Sequence, residues 1–451
     1  MKNVRIQIIL IYIFWIDFSF ASQTKYNIGD VTWVFKKLQQ HPELVWLLAP
    51  NFKYTFNTET INENSWSLQF IGLNSNEFEK TLASLYCLEL ILDGTKKSYE
   101  VLICNQKEPQ LSFMNYMYIH NMILQLKETN SIFTINNLEK ILIFRDLGKS
   151  STFKKYVKSK FNIDEDDPHF FIKNLFNNNP EFCCYILNTN IRTLKAIMGC
   201  DTYHFGHILN FEGGTEMLKQ LKDSKMIRND QIMNFKFLID ILEIAAYNGH
   251  KCNKGSITLN DAVFNSSINT LVILKLLKNE NEVVVMKKLL EKKAKALNIN
   301  STSTEEQIIV KLCALTKISP KKSDIFKEII NSLNHSNKEK ILLQLNPLIL
   351  RNEKTATYIP GFWDAILSQK KEQYINNTSD IEAIRQAAMV FISLLTNIYT
   401  EFRESINNIS VEFQPILSFN LATKQILEGF LVNNSTKFKI KNGVVYLFNP
   451  S

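Results

Sequence analysis

The sequence predicts an α-rich α+β fold that is mostly helical, with a small N-terminal antiparallel sheet region and a C-terminal β-hairpin. Glycine and proline are scarce, at 13 and 10 of 451 residues, so tight turns, which all-β folds need in number, are few. Apolar residues recur every three to four positions from about 131 to 432. Short stretches near the N-terminus and in the tail instead alternate apolar and polar residues, which is typical of strands.

Residues 1–21 have the pattern of a secretory signal peptide. Lys2 and Arg5 precede an apolar run over residues 6–16, and the small residues Ser19 and Ala21 occupy the −3 and −1 positions of a cleavage site. The run is shorter than the roughly 20 residues that span a bilayer. We therefore expect a protein that is secreted or held in the lumen of a secretory organelle, with no transmembrane segment after cleavage.

Composition narrows the class of protein. The net charge of +8 is lower than that of most dedicated nucleic-acid binders, and we expect no nucleic-acid partner. Seven cysteines are too few for a disulfide scaffold, although secreted cysteines usually pair. With 45% hydrophobic residues, the fold is expected to depend on its apolar core.

The region 22–130 is predicted to mix helix and strand. Helical spacing runs from Asp30 to Leu48, with a break expected near His41 because Pro42 cannot continue a helix. Aromatic and apolar residues then alternate over 52–56 and 66–70, on either side of a polar segment. This pattern predicts a hairpin with one apolar face.

A second hairpin is predicted from residue 85 to 104. A loop centred between Thr95 and Lys96 places apolar residues opposite one another and sets Cys87 directly opposite Cys104, which predicts a Cys87–Cys104 disulfide. A helix explains the same residues equally well. It would begin at Asn76 with a capping-box-like Glu79 and end at a Gly94 C-cap.

The region 131–432 is predicted to be helical throughout, and the last residues, 433–451, to form a hairpin. Ser303 and Glu306 have capping-box spacing at the start of a helix that runs to Thr316. Asn442-Gly443 is a two-residue hairpin turn, and we expect this hairpin to pack on the N-terminal region. Helical spacing is clearest over Ile135–Phe144, Phe170–Phe176, Glu181–Ile197, Gln231–Tyr247 and Asp380–Ile406, and Ser319-Pro320 begins a further helix.

One cluster has the residue types of a metal site. Cys200, His204, His207 and Cys252 could supply the four ligands of a zinc ion, with His250 as a further donor. The spacing matches no closed zinc motif, and a Cys200–Cys252 disulfide explains the cysteines as well. The vicinal pair Cys183-Cys184 could include a nucleophile, but burial on a helix is the simpler interpretation.

Two charged segments have both a functional and a structural interpretation. The acidic run 164–167 could bind calcium, but it lacks the alternating ligands and the glycine of a calcium loop, so a solvated loop is favoured. Residues 271–297 are amphipathic and basic, which allows peripheral membrane contact. Two ordinary surface helices broken near Asn281 explain that segment better. N-glycosylation sequons, about as numerous as chance predicts, occur at Asn265, Asn300, Asn334, Asn376, Asn377, Asn408, Asn433 and Asn434.

No motif in the sequence specifies a reaction. Patterns for phosphate loops, nucleophile elbows and HExxH zinc sites are absent, so no catalytic residue and no cofactor are expected. We predict a non-catalytic protein of the secretory pathway that binds a protein partner. The alternatives are a secreted hydrolase with a metal or Cys/His site near residues 200–207, and a carrier of an apolar ligand, for which 31 phenylalanines could line a cavity.

Overall fold

The structure is a computed structural model. It describes residues 30–48, 65–67, 75–128, 132–165, 168–199, 205–224, 226–251, 254–349, 359–374, 380–405, 437–441 and 444–448. Within these ranges the chain is built almost entirely of α-helices joined by short turns.

Nineteen α-helices and two short strands are described in these ranges. The helices are α1 Val31–Gln40, α2 Asn76–Asp93, α3 Lys96–Ile103, α4 Phe113–Glu128, α5 Ile135–Leu147, α6 Ser151–Phe161, α7 Pro168–Asn178, α8 Pro180–Ile186, α9 Ile191–Gly199, α10 Phe205–Leu209, α11 Thr215–Asp223, α12 Asp230–Ala246, α13 Asp261–Leu274, α14 Glu282–Leu297, α15 Thr304–Thr316, α16 Asp324–Ser332, α17 His335–Leu345, α18 Ile359–Tyr374 and α19 Asp380–Ser405. The strands are β1 Lys437–Lys441 and β2 Val444–Phe448, and 3-10 helices occupy Pro42–Leu48, Met226–Arg228, Lys275–Lys278 and Pro320–Lys322.

The chain divides into two compact units. Unit 1 comprises residues 1–202 and 229–268, and unit 2 comprises residues 203–228 and 269–451. In unit 1, helix α2 is central and packs against α3, α4, α5 and α12. It is buried along most of its length, which explains why its sequence is apolar on nearly every side. In unit 2, α18 packs on α19, and α15 packs against α14 and α18.

The predicted α+β class is wrong, because the described residues of the N-terminal region contain no strand. The first predicted hairpin falls mostly on residues 52–64 and 68–70, which lie outside the described residues, and Trp66 and Ser67 are helical. The second is replaced by helices α2 and α3. At the tail, β1 pairs only with β2, with Phe438 opposite Leu447 and Ile440 opposite Val445. This two-stranded ladder adds to no larger sheet in the described chain, so the fold class is helical.

The error at residues 85–104 has a physical cause. Leu88, Leu90 and Leu92 satisfy the period of a strand, but a helix that is buried on most sides is also apolar at these positions. Gly94, with a φ of 66°, ends α2 in the left-handed conformation, and the Thr95 side chain accepts from the Ser98 N–H to begin α3. Cys87 is a buried free thiol on α2, and Cys104 is the exposed C-cap of α3. The predicted Cys87–Cys104 disulfide is therefore not formed.

Most of the predicted helix signals are confirmed. Helix α1 ends before Pro42, and a 3-10 helix follows it. Ser303 and Glu306 form both hydrogen bonds of a capping box at the start of α15. The helix predicted over Glu181–Ile197 is instead two helices, α8 and α9, and Asn188 between them has a φ of 44°. In the described part of the chain, no helix is long and apolar enough to cross a membrane.

Candidate functional site

Most of the predicted metal site lies outside the described residues, so the structure does not test it. Cys200, His204 and Cys252 lie outside the described residues. His207 lies on α10, and its Nδ1 is 3.0 Å from Glu212 Oε1, within unit 2. No group of three or more metal-ligating side chains occurs among the residues that the structure describes.

The other candidate segments have structural explanations. Cys183 is buried on α8, and burial raises the pKa of its thiol to about 12, so it is a poor nucleophile at neutral pH. In the acidic run, Asp164 pairs with Lys158 at 2.5 Å. In the basic segment, Asn281 caps α14, the apolar side of α14 is buried, and Lys287, Lys292 and Lys295 face solvent. This is the arrangement of an ordinary amphipathic surface helix.

Unit 1 contains a buried network of charges between α1, α2 and α5. Lys37 Nζ lies 2.7 Å from Glu89 Oε1 and 2.6 Å from Glu139 Oε1. His41 lies between Glu139 and Glu43, at 3.2 and 3.4 Å. Burial lowers the pKa of His41, but the two carboxylates outweigh it and hold the pKa above the usual value. Because every charge has an opposite partner, the network fixes the three helices together.

A second network joins α2, α5 and α12. Lys149 Nζ lies 2.6 Å from Asp146 and 3.4 Å from Glu77, and Arg145 lies 3.0 Å from Glu243. Burial raises the pKa of Glu243 to about 7, even though Arg145 favours its ionised form. These groups are occupied in pairing with one another, so we assign the network a structural role.

Helix α4 is fixed to the end of α2 by two polar side chains, one buried and one half-buried. Tyr116 Oη donates to the Leu90 carbonyl at 2.7 Å, and His120 Nδ1 lies 2.7 Å from the Ile91 carbonyl. These carbonyls are among those that the end of α2 leaves without an intrahelical partner. A Cβ at Gly94 would lie 2.5 Å from the His120 ring, so only glycine permits this close approach.

The N-terminal end of α4 is fixed by groups from the chain around α13. Asp261 Oδ1 accepts from the Ser112 backbone N–H and from Asn115 Nδ2, both at 2.7 Å. Gln106 accepts from the Leu111 N–H and donates to the Leu259 carbonyl, both at 2.8 Å. The N-terminal half of α4 is therefore attached to α2 and to the start of α13.

The exposed side of α4 carries large apolar and aromatic residues. We call Phe113, Met114, Met117 and Tyr118 the α4 patch. The exposed fractions are 44% for Phe113, 81% for Met114 and 48% for Tyr118, and Met117 is half-buried. From Phe113 to Leu126 the helix has no Lys, Arg, Asp or Glu. An exposed helix face normally carries charged residues, so this surface is unusual for one that stays in water.

Neighbouring rings support the α4 patch, and carboxylates lie beside it. The Phe113 ring stacks on Tyr116 and meets Tyr99 edge to face, with centroids 5.8 and 5.2 Å apart. Burial raises the pKa of Tyr99, and so do the negative charges of Asp261, Glu100 and Glu108. The charges that act on this end of the patch are therefore acidic.

Sequence reasoning did not identify the α4 patch. The uncharged run from Phe113 to Leu126 is visible in the sequence and could have indicated it. Both sides of this helix are apolar, however, so periodicity does not show which side is exposed. Only the packing of Tyr116, Ile119 and Ile123 into unit 1 reveals that Met114 and Tyr118 face solvent.

Comparison with known proteins gives one match. No curated protein and no solved structure matches the chain. Residues 39–416 match a family described as a family of unknown function (DUF6829), and this match includes all the described helices of both units except α1, which it covers only in part. Because it spans most of the sequence, the chain belongs to this family of unknown function, DUF6829.

Proposed function

We propose that this chain is a non-catalytic protein of the secretory pathway that binds a protein partner through the α4 patch. The observation that carries the proposal is the uncharged, exposed side of a helix whose N-terminal half is fixed by hydrogen bonds to its neighbours. Aromatic residues and methionine are enriched, and charges depleted, at the centre of protein interfaces. Covering Met114, which is 81% exposed, would contribute up to about 1.5–3 kcal/mol of apolar burial.

Because its neighbours hold α4 in place, its exposed apolar side is better explained as a binding surface than as an apolar surface without a function. Tyr116 and His120 hold the helix from α2, and Asp261 holds its N-terminal end. A surface that is already rigid loses little conformational entropy on binding. The α4 patch is therefore organised before its partner arrives.

The acidic residues beside the α4 patch indicate which charges the partner surface carries. Glu100 follows Tyr99 on α3, and Asp261 accepts hydrogen bonds from Ser112 and Asn115 at the start of the patch. A complementary protein surface would present an apolar pocket for Met114 and Tyr118 with lysine or arginine at its rim. We propose a protein partner with this surface.

The secretory location rests on the first 21 residues, in which Lys2 and Arg5 precede the short apolar run. N-terminal sequencing of the protein exported by the cells that make it tests this part. We expect the mature chain to begin at Ser22. A chain that stays in the cytosol with Lys2 still present would contradict the location and leave the binding proposal standing.

Paired substitutions test the binding surface. The full chain is crosslinked in the source cells and purified, and a stoichiometric partner should co-purify with it. We expect M114E/Y118E to abolish this co-purification, because the variant places two charges in a desolvated interface. V272E is the matched control, since Val272 is 60% exposed and lies on α13 in the second unit. Retention of the partner by M114E/Y118E would contradict the proposal.

A second copy of this chain could cover the α4 patch, and light scattering tests this alternative. Light scattering on the purified chain would show a dimer if a second copy covered the α4 patch. A dimer that M114E/Y118E converts to a monomer would replace the proposed partner by a second copy of this chain. A monomer at all concentrations agrees with a different protein as the partner.

A further inference from the structure

The structure distinguishes the N-glycosylation sequons that lie in the described chain. These begin at Asn265, Asn300 and Asn334. The sequons outside the described residues begin at Asn376, Asn377, Asn408, Asn433 and Asn434. N-linked oligosaccharides are bulky and are attached to asparagines on the surface loops of secreted proteins. The number of sequons does not show which of them are modified, but their place in the fold does.

Of the three described sequons, only the one at Asn300 lies wholly outside helices. Asn300, Ser301 and Thr302 belong to the segment between α14, which ends at Leu297, and α15, which begins at Thr304. The side chains of Asn300 and Thr302 are exposed. This segment connects two helices of unit 2 and is a surface loop of the folded chain.

The described hydrogen bonds of this loop are compatible with an attached sugar. Asn300 Oδ1 accepts from the Ser301 N–H at 2.9 Å, whereas an oligosaccharide is attached at Nδ2. Thr302 donates from its N–H and from its hydroxyl to Glu306 Oε2, at 3.0 and 3.1 Å. Attachment at Nδ2 therefore costs the fold none of these hydrogen bonds, and the sugar would extend from an exposed side chain into solvent.

The other two described sequons are built into helices. The sequon at Asn265 lies inside α13, where Ser267 is fully buried and donates to the Val263 carbonyl at 2.9 Å. Asn334 is the N-cap of α17, where its Oδ1 accepts from the Asn337 N–H at 2.9 Å, and the next two residues of its sequon are helical. A transferase must take up the asparagine and the hydroxyl of the third residue together. The two helices hold these groups in their own hydrogen bonds, which disfavours both sites.

We propose that Asn300 carries an N-linked oligosaccharide and that Asn265 and Asn334 do not. This inference rests on the secretory location in the proposed function, because the chain meets the lipid-linked sugar donor in that pathway. In the transfer, Asn300 Nδ2 loses a proton to the solvent and forms a bond to C1 of the first sugar. The bond between C1 and the diphosphate of the lipid carrier breaks, and the diphosphate leaves with the electron pair.

An unmodified Asn265 is also what the α4 patch requires. Asn265 Oδ1 lies 3.5 Å from Asn115 Nδ2, and the ring of the adjacent Phe264 lies 5.8 Å from that of Tyr118. An oligosaccharide at Asn265 would therefore stand beside the α4 patch and hinder the approach of a protein. Modification at Asn300 instead of Asn265 leaves the patch open to its partner.

Variants of the loop show whether this sequon is used. We expect T302A to remove the mass of one oligosaccharide from the exported chain, because transfer requires the hydroxyl of the third residue. T302S keeps a hydroxyl and S301A changes only the middle residue, so both should retain that mass. N300Q gives the same loss if T302A is not exported. An unchanged mass of exported T302A or N300Q would overturn the inference.

Mapping of modified sites on the chain exported by the source cells is the most direct test. Peptide N-glycosidase in heavy-oxygen water converts each modified asparagine to a labelled aspartate, which mass spectrometry locates. We expect the label at position 300 in most molecules and none at positions 265 and 334. An unlabelled Asn300 in a chain that begins at Ser22, or equal labelling at position 265, would overturn the inference and leave the secretory location standing. A chain that stays in the cytosol would overturn both.

Discussion

Single residues determine how α2 meets α4. Gly94 ends α2 with a φ of 66°, and its missing side chain leaves room for the His120 ring. The ring in turn lies against the Ile91 carbonyl. The Gly94 C-cap is visible in the sequence, but its contact with His120 is a tertiary feature that local patterns do not contain.

We predict that Gly94→Ala destabilises the fold by about 2 kcal/mol or more. The left-handed conformation costs an L-residue roughly 1–2 kcal/mol, and the new Cβ would also collide with the His120 ring. Urea denaturation followed by circular dichroism measures the change. Gly199→Ala is the matched control in the same unit. Gly199 ends α9, and no described atom lies near the place of its missing Cβ, so we expect the substitution to be neutral or stabilising. Equal effects of the two substitutions would contradict this account.

Glu79 shows where sequence reasoning about a residue was wrong. Its position suggested a capping box for α2, but Ser75 makes no side-chain capping bond. The Glu79 carboxylate instead accepts from the backbone N–H groups of Ser67 and Trp66, at 2.6 and 3.2 Å. The partners are twelve or more residues away in sequence, which spacing rules cannot detect.

Helix boundaries could be predicted from the sequence where they depend on residues only a few positions apart. The capping box at Ser303 and the break at Pro42 both depend on side chains within a few residues, and both are confirmed. The hairpin predicted over residues 85–104 was wrong because a short apolar run fits a strand and a buried helix equally well. The α4 patch was missed for the related reason that an apolar helix does not show which side is exposed.

The capping box at the start of α15 gives a prediction for an element. We expect Ser303→Ala to destabilise the fold by about 1 kcal/mol, because Ser303 accepts from the Glu306 N–H and Glu306 accepts from the Ser303 N–H. Ser319→Ala is the control, since Ser319 also precedes a helix but makes no side-chain capping bond. Thermal unfolding measures both, and a Ser319→Ala effect as large as that of Ser303→Ala would show that the cap is not the cause.

For the whole molecule, we predict greater stability at pH 5.5 than at pH 8.5. The pKa of His41 is above its ordinary value of 6.5, so its contribution is complete below 6.5 and is lost as pH rises through the folded pKa. The pKa of Glu243 rises from 4.5 to about 7, so its contribution is lost as pH rises through about 7. Glu139 has a lowered pKa, and its contribution is lost only as pH falls through the acidic range.

Urea midpoints measured from pH 5.5 to 8.5 test this pH dependence. We expect H41Q and E243Q each to flatten the profile, because each removes one proton-binding group of unit 1. H335Q is the control, since the side chain of His335 is 88% exposed on α17. A wild-type midpoint that is constant or increases with pH would contradict the assigned roles of the two networks.

The central claim for the whole molecule is that the α4 patch contacts a protein partner. The most direct measurement is photocrosslinking in the source cells with p-benzoylphenylalanine in place of Met114, compared with the same group in place of Val272, another exposed apolar residue. We predict one crosslinked protein from position 114, identified by mass spectrometry and absent from position 272. The same products from both positions, or none from position 114, would contradict the proposed function.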